Sequence, residues 1–368
     1  MLSQAIETYG HGPVLALGGG MIGLLFGFFA QRSRFCLRAA VIEFWHRRFG
    51  EKLSIWLLAF SAAVISVQLL VLAGGLDTAS ARQIAARGSI SGALMGGLLF
   101  GAGMILTRGC ASRLLVLSAN GNLRALLSGL IFAVTAQAAL GGSLAPLRSE
   151  ISSWVTIEGG ASRDILASLG LGNSAGLAFG LVWAAAAVFF VRRSSPQSVW
   201  VWIGGIGTGV MVAAAWGFSQ AVANASFDPV QIQGLTFSGP SAEWLMRVLA
   251  APAPAIGFEF GMLPGVFLGS MLGAFVGRDF KLEGFTDGYS MRRYIVGAMC
   301  MGFGSMLAGG CAVGAGVTGG AIFALTAWIS LLGMWLGAGL VDRWIDGRLP
   351  GSAASSLGMG GGAPARAP

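Results

Sequence analysis

The chain has 368 residues, of which 55% are hydrophobic and only 10% charged, with a net charge of +8 and a mean hydropathy of +0.75. A soluble domain carries about a quarter charged residues, so water is excluded as the main solvent. The positive balance does not point to nucleic acid, because the arginines form short clusters between long apolar runs, as membrane topology imposes.

In chain order, charge-poor stretches long enough to cross a bilayer, at about 20 residues each, fall at 13–31, 53–75, 91–107, 123–146, 175–191, 199–223, 257–277, 294–315 and 319–340. The expected fold is an all-α polytopic membrane protein with about nine transmembrane helices, in a single transmembrane domain over 1–348. The first basic residue, Arg32, follows the first apolar run instead of preceding it, so that run reads as a retained span and not a cleaved signal. With loops on alternating sides, Arg82, Arg87, Arg148, Arg163 and Arg247 share one side, and the other 18 of the 23 Lys and Arg share the opposite one. That asymmetry predicts an N-terminus outside and a C-terminus in the cytoplasm. Residues 349–368 are Gly, Ala, Ser and Pro with few others, and read as a disordered cytoplasmic tail.

Two halves repeat each other. Gly96-x4-Gly101-x-Gly103-x2-Leu106-x2-Gly109-Cys110-Ala111 recurs 201 positions later as Gly297-x4-Gly302-x-Gly304-x2-Leu307-x2-Gly310-Cys311-Ala312. A second block, Gly129-x-Ile131-Phe132-Ala133-x-Thr135-Ala136, recurs 191 positions later from Gly320 to Ala327, which implies ten extra residues between the blocks of the first half. The nine spans parse as four, one and four: repeat 1 over about 13–146, a linker span at 175–191, and repeat 2 over about 199–340. An odd linker span turns the second set upside down, giving pseudo-symmetric inverted repeats. Duplicated membrane halves place the working site where they meet, so short broken or re-entrant helices are expected there.

The glycines are ordered. Gly257, Gly261, Gly265, Gly269, Gly273 and Gly277 recur every four residues, as do Gly19, Gly23, Gly27 and Gly172, Gly176, Gly180. Such stripes let another helix approach closely and predict packing, not ligand binding. Pro264 is expected to kink its helix. Gly18-x-Gly20-x-x-Gly23 and Gly314-x-Gly316-x-x-Gly319 match a dinucleotide fingerprint but belong to no βαβ unit, so both are chance.

Little titratable chemistry is left. His11 and His46 lie outside the spans and read as loop residues, no metal site is expected, and Glu259 is the carboxylate closest to a hydrophobic interior. The cysteines Cys36, Cys110, Cys300 and Cys311 contain no C-x-x-C pair. Cys300 reads as a small packing residue, with Leu99 as its counterpart in the first half. Cys110 and Cys311 instead end glycine-rich runs at one place in a duplicated unit. Gly109 and Gly310 before them suit a helix break, where free amides and a positive dipole end meet a soft sulfur, a site for a sulfur-bearing anion.

The segment Gly27-Phe28-Phe29-Ala30-Gln31-Arg32-Ser33-Arg34-Phe35-Cys36, taken with Gly109-Cys110 and Gly310-Cys311, resembles the YeeE/YedE family of bacterial inner-membrane proteins over roughly 15–340. The resemblance implies uptake of thiosulfate through a narrow hourglass-shaped path between the two halves, with three essential cysteines that map onto Cys36, Cys110 and Cys311. It also implies a cytoplasmic sulfur-carrier partner of the TusA/YeeD type. Thiosulfate is a dianion with a soft terminal sulfur, which a protonated thiol meets with a weak S–H donor, so a relay from Cys to Cys toward the Arg32 and Arg34 end needs no covalent capture. Arg108 is either an attractor within the path or an interfacial cation. Three alternatives stand beside this reading: a membrane sulfurtransferase holding a persulfide on Cys36, transport of another sulfur or selenium species such as sulfite, and a pore in which the cysteines only pack.

Overall fold

The computed structural model describes residues 2–193, 198–249, 256–284 and 288–345; the expected tail at 349–368 lies outside the described residues. Thirteen segments carry the architecture: α1 (His11–Ser33), α2 (Leu37–Trp45), α3 (Glu51–Leu72), α4 (Ile90–Leu106), α5 (Ala111–Ala119), α6 (Leu123–Gly141), α7 (Asn173–Arg193), α8 (Val199–Ala225), α9 (Ser238–Leu249), α10 (Phe258–Gly277), α11 (Gly288–Leu307), a π-helix π1 (Ala312–Gly319) and α12 (Leu325–Ile345). Among the described residues, nine stretches are long and apolar enough to cross a membrane, each overlapping in order one of the nine runs read from the sequence. Three of the nine are composite: α1 with α2, α4 with α5, and α11 with π1. The protein is an all-α polytopic membrane protein; among the described residues its strands amount to Gly88–Ser89 paired antiparallel with Thr156–Ile157.

Helix packing is the same when the halves are exchanged. α1 packs on α10, and α8 packs on α3; α4 packs on α12, and α11 packs on α6; α2 meets α12, and α9 meets α6. Two contacts, α1 with α8 and α4 with α11, join equivalent elements across the midline. The equivalence carries Leu123 at the start of α6 onto the start of α12 at Leu325. This corrects the second sequence block. Gly129–Ala136 lies inside α6, whereas Gly320–Ala327 forms the turn from π1 into α12, with Phe323 at φ 55°. Their likeness is compositional, since Gly, Ile, Phe, Ala and Thr serve a packed helix face and a tight buried turn alike, and the first half carries no ten-residue insertion between its Gly-Cys break and α6.

The glycine stripes do what their spacing predicts. A Cβ on Gly261 or Gly269 would fall on the carbonyl oxygens of Ala16 and Leu24, and one on Gly19 or Gly23 on those of Phe258 and Met262, so α1 and α10 touch backbone to backbone. Gly257, the N-cap that precedes α10, has open space, so the close contact begins inside the helix. α10 runs unbroken through Pro264. The ring removes the N–H that would have reached the Phe260 carbonyl, and the Trp244 indole donates to that oxygen instead at 3.1 Å. At the other end of the bundle, His46 Nε2 lies 2.7 Å from Asp342 Oδ2, pinning the end of α2 to α12 around a carboxylate that is 3% exposed.

These contacts rank the cost of substitutions. Gly309→Ala, at φ 76° with open space for the methyl, carries only left-handed strain, about 1 kcal/mol. Gly261→Val forces α10 away from α1, and thermal unfolding in detergent is expected to show a much larger loss for it than for Gly309→Ala.

Candidate functional site

Three of the long spans stop in the same way. At the end of α1, Arg34 adopts φ 55° and the next amide, Phe35 N–H, donates back to Ala30 O at 3.0 Å. At the end of α4, Arg108 adopts φ 58° and Gly109 N–H donates to Met104 O at 3.2 Å. At the end of α11, Gly309 adopts φ 76° and Gly310 N–H donates to Ser305 O at 2.9 Å. Each is a left-handed stop that ties off the last carbonyls of its helix. The residue that needs a positive φ is therefore Arg34, Arg108 or Gly309, two before the cysteine, and not Gly109 or Gly310.

In all three cases the next residue is the cysteine, and it begins a new helix. Cys36, Cys110 and Cys311 are the N-caps of α2, α5 and π1, each in an extended conformation. The thiol turns back over the first turn: Cys311 Sγ accepts from Gly314 N–H at 3.4 Å, and the amides of Ala39 and Arg113 face Cys36 and Cys110 at the same third position. A side chain at an N-cap serves the third amide, which leaves the first two amides of each new helix pointing at the break. Among the described residues, none of the amides of Leu37, Ala111, Ser112, Ala312 and Val313 has a backbone acceptor.

The folding of the halves brings these caps together. The Cys36 and Cys110 thiols adjoin and interact, and Cys110 Sγ also lies 3.4 Å from Ser112 Oγ. π1, which Cys311 begins, packs against α5, which Cys110 begins. Cys110 is 0% and Cys311 1% exposed, while Cys36 is half-buried. Cys300 stands apart, half-buried in the body of α11 about two turns before the break.

The cations are placed differently from the sequence reading. Arg108 is exposed and serves the backbone stop, so it is not the cation beside Cys110. Arg32 lies over the Trp200 ring at 4.5 Å, and Arg34 is exposed and 3.7 Å from Asp279. The guanidinium that faces both Cys36 and Cys110 is that of Arg113, on the first turn of α5, with Nη1 3.4 Å from Gln31 Oε1. Sequence inspection passed over Arg113 as one more interfacial cation. Its signal was its position three residues after an N-cap, which points the side chain back over the cap.

On the second half, loops close the break. Gln83 Nε2 donates to Gly314 O at 3.1 Å, Ile165 N–H donates to Phe323 O at 3.0 Å, and the buried Arg163 reaches Thr326 Oγ1 at 2.6 Å and the Ala86 carbonyl. Burial pushes the Arg163 pKa below the usual arginine range. Glu259 shares a small cavity of about 60 Å³ with Glu243 and Arg247, away from the cysteines.

Spans interrupted at paired helix ends, in a fold that spans the membrane many times, define a membrane transporter. The chain belongs to the Sulphur transport family, whose model matches residues 32–340. It is 25% identical over 360 residues to the thiosulfate transporter TsuA of Escherichia coli (strain K12), covering 89% of this chain and 95% of that protein. It is likewise 25% identical over 349 residues to the thiosulfate transporter TsuA of Spirochaeta thermophila, covering 88% of this chain and 98% of that protein.

The burial order sets a reactivity order. In variants retaining one cysteine each, a thiol-directed methanethiosulfonate reagent should label Cys36 well before Cys110 or Cys311 in folded protein, as read by intact mass.

Proposed function

We propose that this protein takes up thiosulfate across the bacterial inner membrane, handing the anion past Cys36, Cys110 and Cys311 by S–H hydrogen bonds without covalent capture. The observation that carries this reading is the threefold recurrence of a left-handed stop followed by a cysteine N-cap, in a family of sulphur transporters whose relatives are named for thiosulfate. The free first-turn amides and positive dipole ends suit the oxygens of an anion, and the polarizable thiols suit its terminal sulfur. A neutral thiol is a weak donor, which lets the ion leave as readily as it enters.

Arg113 supplies the full positive charge. Facing Cys36 and Cys110 in a low-dielectric interior, it offsets part of the cost of bringing a dianion beyond the membrane surface. Equivalent halves with an odd span between them give inverted repeats, over about 13–146 and 199–340, with the N-terminus periplasmic and the C-terminus cytoplasmic. The Cys36 end, with Arg32, Arg34 and Arg38 nearby in sequence, is then the cytoplasmic exit, where a TusA/YeeD-like sulfur carrier would receive the cargo.

Uptake of radiolabelled thiosulfate into proteoliposomes tests this. Cys36→Ala, Cys110→Ala and Cys311→Ala are each expected to lower the rate at least tenfold, Arg113→Gln several-fold with Arg113→Lys partly restoring it, and Cys300→Ala little. Undiminished uptake by Cys110→Ala or Cys311→Ala sinks the thiol relay. After exposure to thiosulfate, intact mass should show no retained sulfur atom on any cysteine, and a lasting one-sulfur adduct would replace the relay with persulfide chemistry.

A further inference from the structure

One cavity lies away from the cysteines and opens on the outer surface of the bundle. It has a volume of about 360 Å³, within the range of ligand pockets, and runs between α2, α3, α7 and α12, lined by Phe44, Trp56, Phe60, Trp183, Trp328 and Trp335 among others. Leu332 on its wall is 57% exposed and Phe44 is 45% exposed, in segments that cross the hydrocarbon, so the groove faces lipid tails and not water.

Two observations set this groove apart from ordinary lipid-facing surface. The indole nitrogens of Trp56 and Trp328 are buried with no hydrogen-bond partner among the described residues, and Trp56 is 4% exposed overall. A buried donor left unpaired is costly, so an acceptor from outside the chain is called for. The second observation is charge. Arginines flank its aromatic wall in sequence: Arg47 and Arg48 precede Phe49, whose ring meets Phe190 at 5.5 Å, and Arg192 and Arg193 follow Phe190 with only Val191 between. Arg343 lies over Trp45 at 5.5 Å, and Trp45 donates to the Trp335 carbonyl. The nearby carboxylates are engaged elsewhere, Glu43 with Leu53 N–H, Glu51 with Lys52 and Asp342 with His46. None of the five arginines forms an ion pair among the described residues.

We propose that an anionic phospholipid is a specific ligand of this groove, with one acyl chain among the tryptophans, an ester carbonyl accepting from the Trp56 indole, and the phosphate held by Arg47, Arg48, Arg192 and Arg193. Trp56 sits about one and a half turns below the start of α3, which places an acceptor beneath a headgroup at the arginine level. A basic pocket between membrane helices, opening at a lipid surface, recognises acidic headgroups and not zwitterionic ones. The site stands independently of the cargo and of the cysteine path.

The test uses the full chain in nanodiscs of phosphatidylcholine doped with lipids brominated on the acyl chain, reading tryptophan fluorescence. Brominated phosphatidylglycerol should quench at a mole fraction at least tenfold lower than brominated phosphatidylcholine with the same chains. Arg192→Gln with Arg193→Gln should weaken that preference by roughly fivefold per arginine, and adding Arg47→Gln and Arg48→Gln should abolish it; these exposed changes leave the core intact. Trp56→Phe with Trp328→Phe should cut the quenched amplitude. Equal quenching by the two lipids, or a preference that survives the fourfold arginine variant, overturns the proposal. So does efficient cross-linking between Leu332→Cys chains under the same conditions, which would show a second copy in the groove.

Discussion

A backbone amide or carbonyl in hydrocarbon must find its partner inside the protein, because no water is at hand. This constraint governs the whole structure. A continuous helix meets it trivially, and the body of each span does so. At the three interruptions the chain meets it by other means, closing the last carbonyls with a left-handed stop and, at Cys311, the third amide of the next helix with the thiol. What remains without a backbone acceptor among the described residues is a small set of first-turn amides, those of Leu37, Ala111, Ser112, Ala312 and Val313. The polar chemistry of this transporter is thus mainly backbone chemistry, exposed on purpose at a few points.

The symmetry of the halves is incomplete where it bears on the site. α1 stops and passes within three residues through Cys36 into α2, whereas its counterpart α8 is followed by an extended stretch that reaches α9 through Leu235, Thr236 and Phe237. Phe237 stands where Cys36 stands in the first half, and its ring packs on Phe26 at 5.6 Å. Gly314 likewise stands in the place of Arg113, and a Cβ there would strike the Thr236 side chain. One half therefore presents two thiols and a guanidinium, and the other a single thiol in a glycine-lined turn. Such a difference gives an otherwise two-fold structure a direction.

Most of the fold was legible because it rests on length and periodicity: runs of about 20 apolar residues and glycines every four are local signals. The Gly-Cys repeat located two of the three breaks, and Ser-Arg-Phe-Cys the third. The second repeat block misled because short apolar words recur by composition in a chain with 60 glycines. Arg108 drew attention as the neighbour of Cys110 in sequence, yet a left-handed residue turns its side chain out of the break, and Arg113 on the next turn faces the thiols instead. Trp244 capping the Phe260 carbonyl, and Arg163 buried against Thr326, are contacts between residues distant in sequence, and no local pattern announces them.

Close packing at Cys110 and Cys311 has a consequence for how the proposed path conducts. With 0% and 1% exposure there is no standing channel at the thiols, so passage requires the breaks to part. Opening a continuous helix would rupture a ladder of internal bonds, but at these points the ladder is already interrupted, and at Cys311 the cap holds its helix by a thiol accepting one amide at 3.4 Å. A thiol is a weak acceptor, so an anion that offers oxygens to the same amides can displace it at small cost. An ion unable to hydrogen-bond, or a cation repelled by Arg113 and by the dipole ends, has nothing to exchange for that contact. Selectivity and closure then come from the same feature, a cap strong enough to seal the break and weak enough to be replaced.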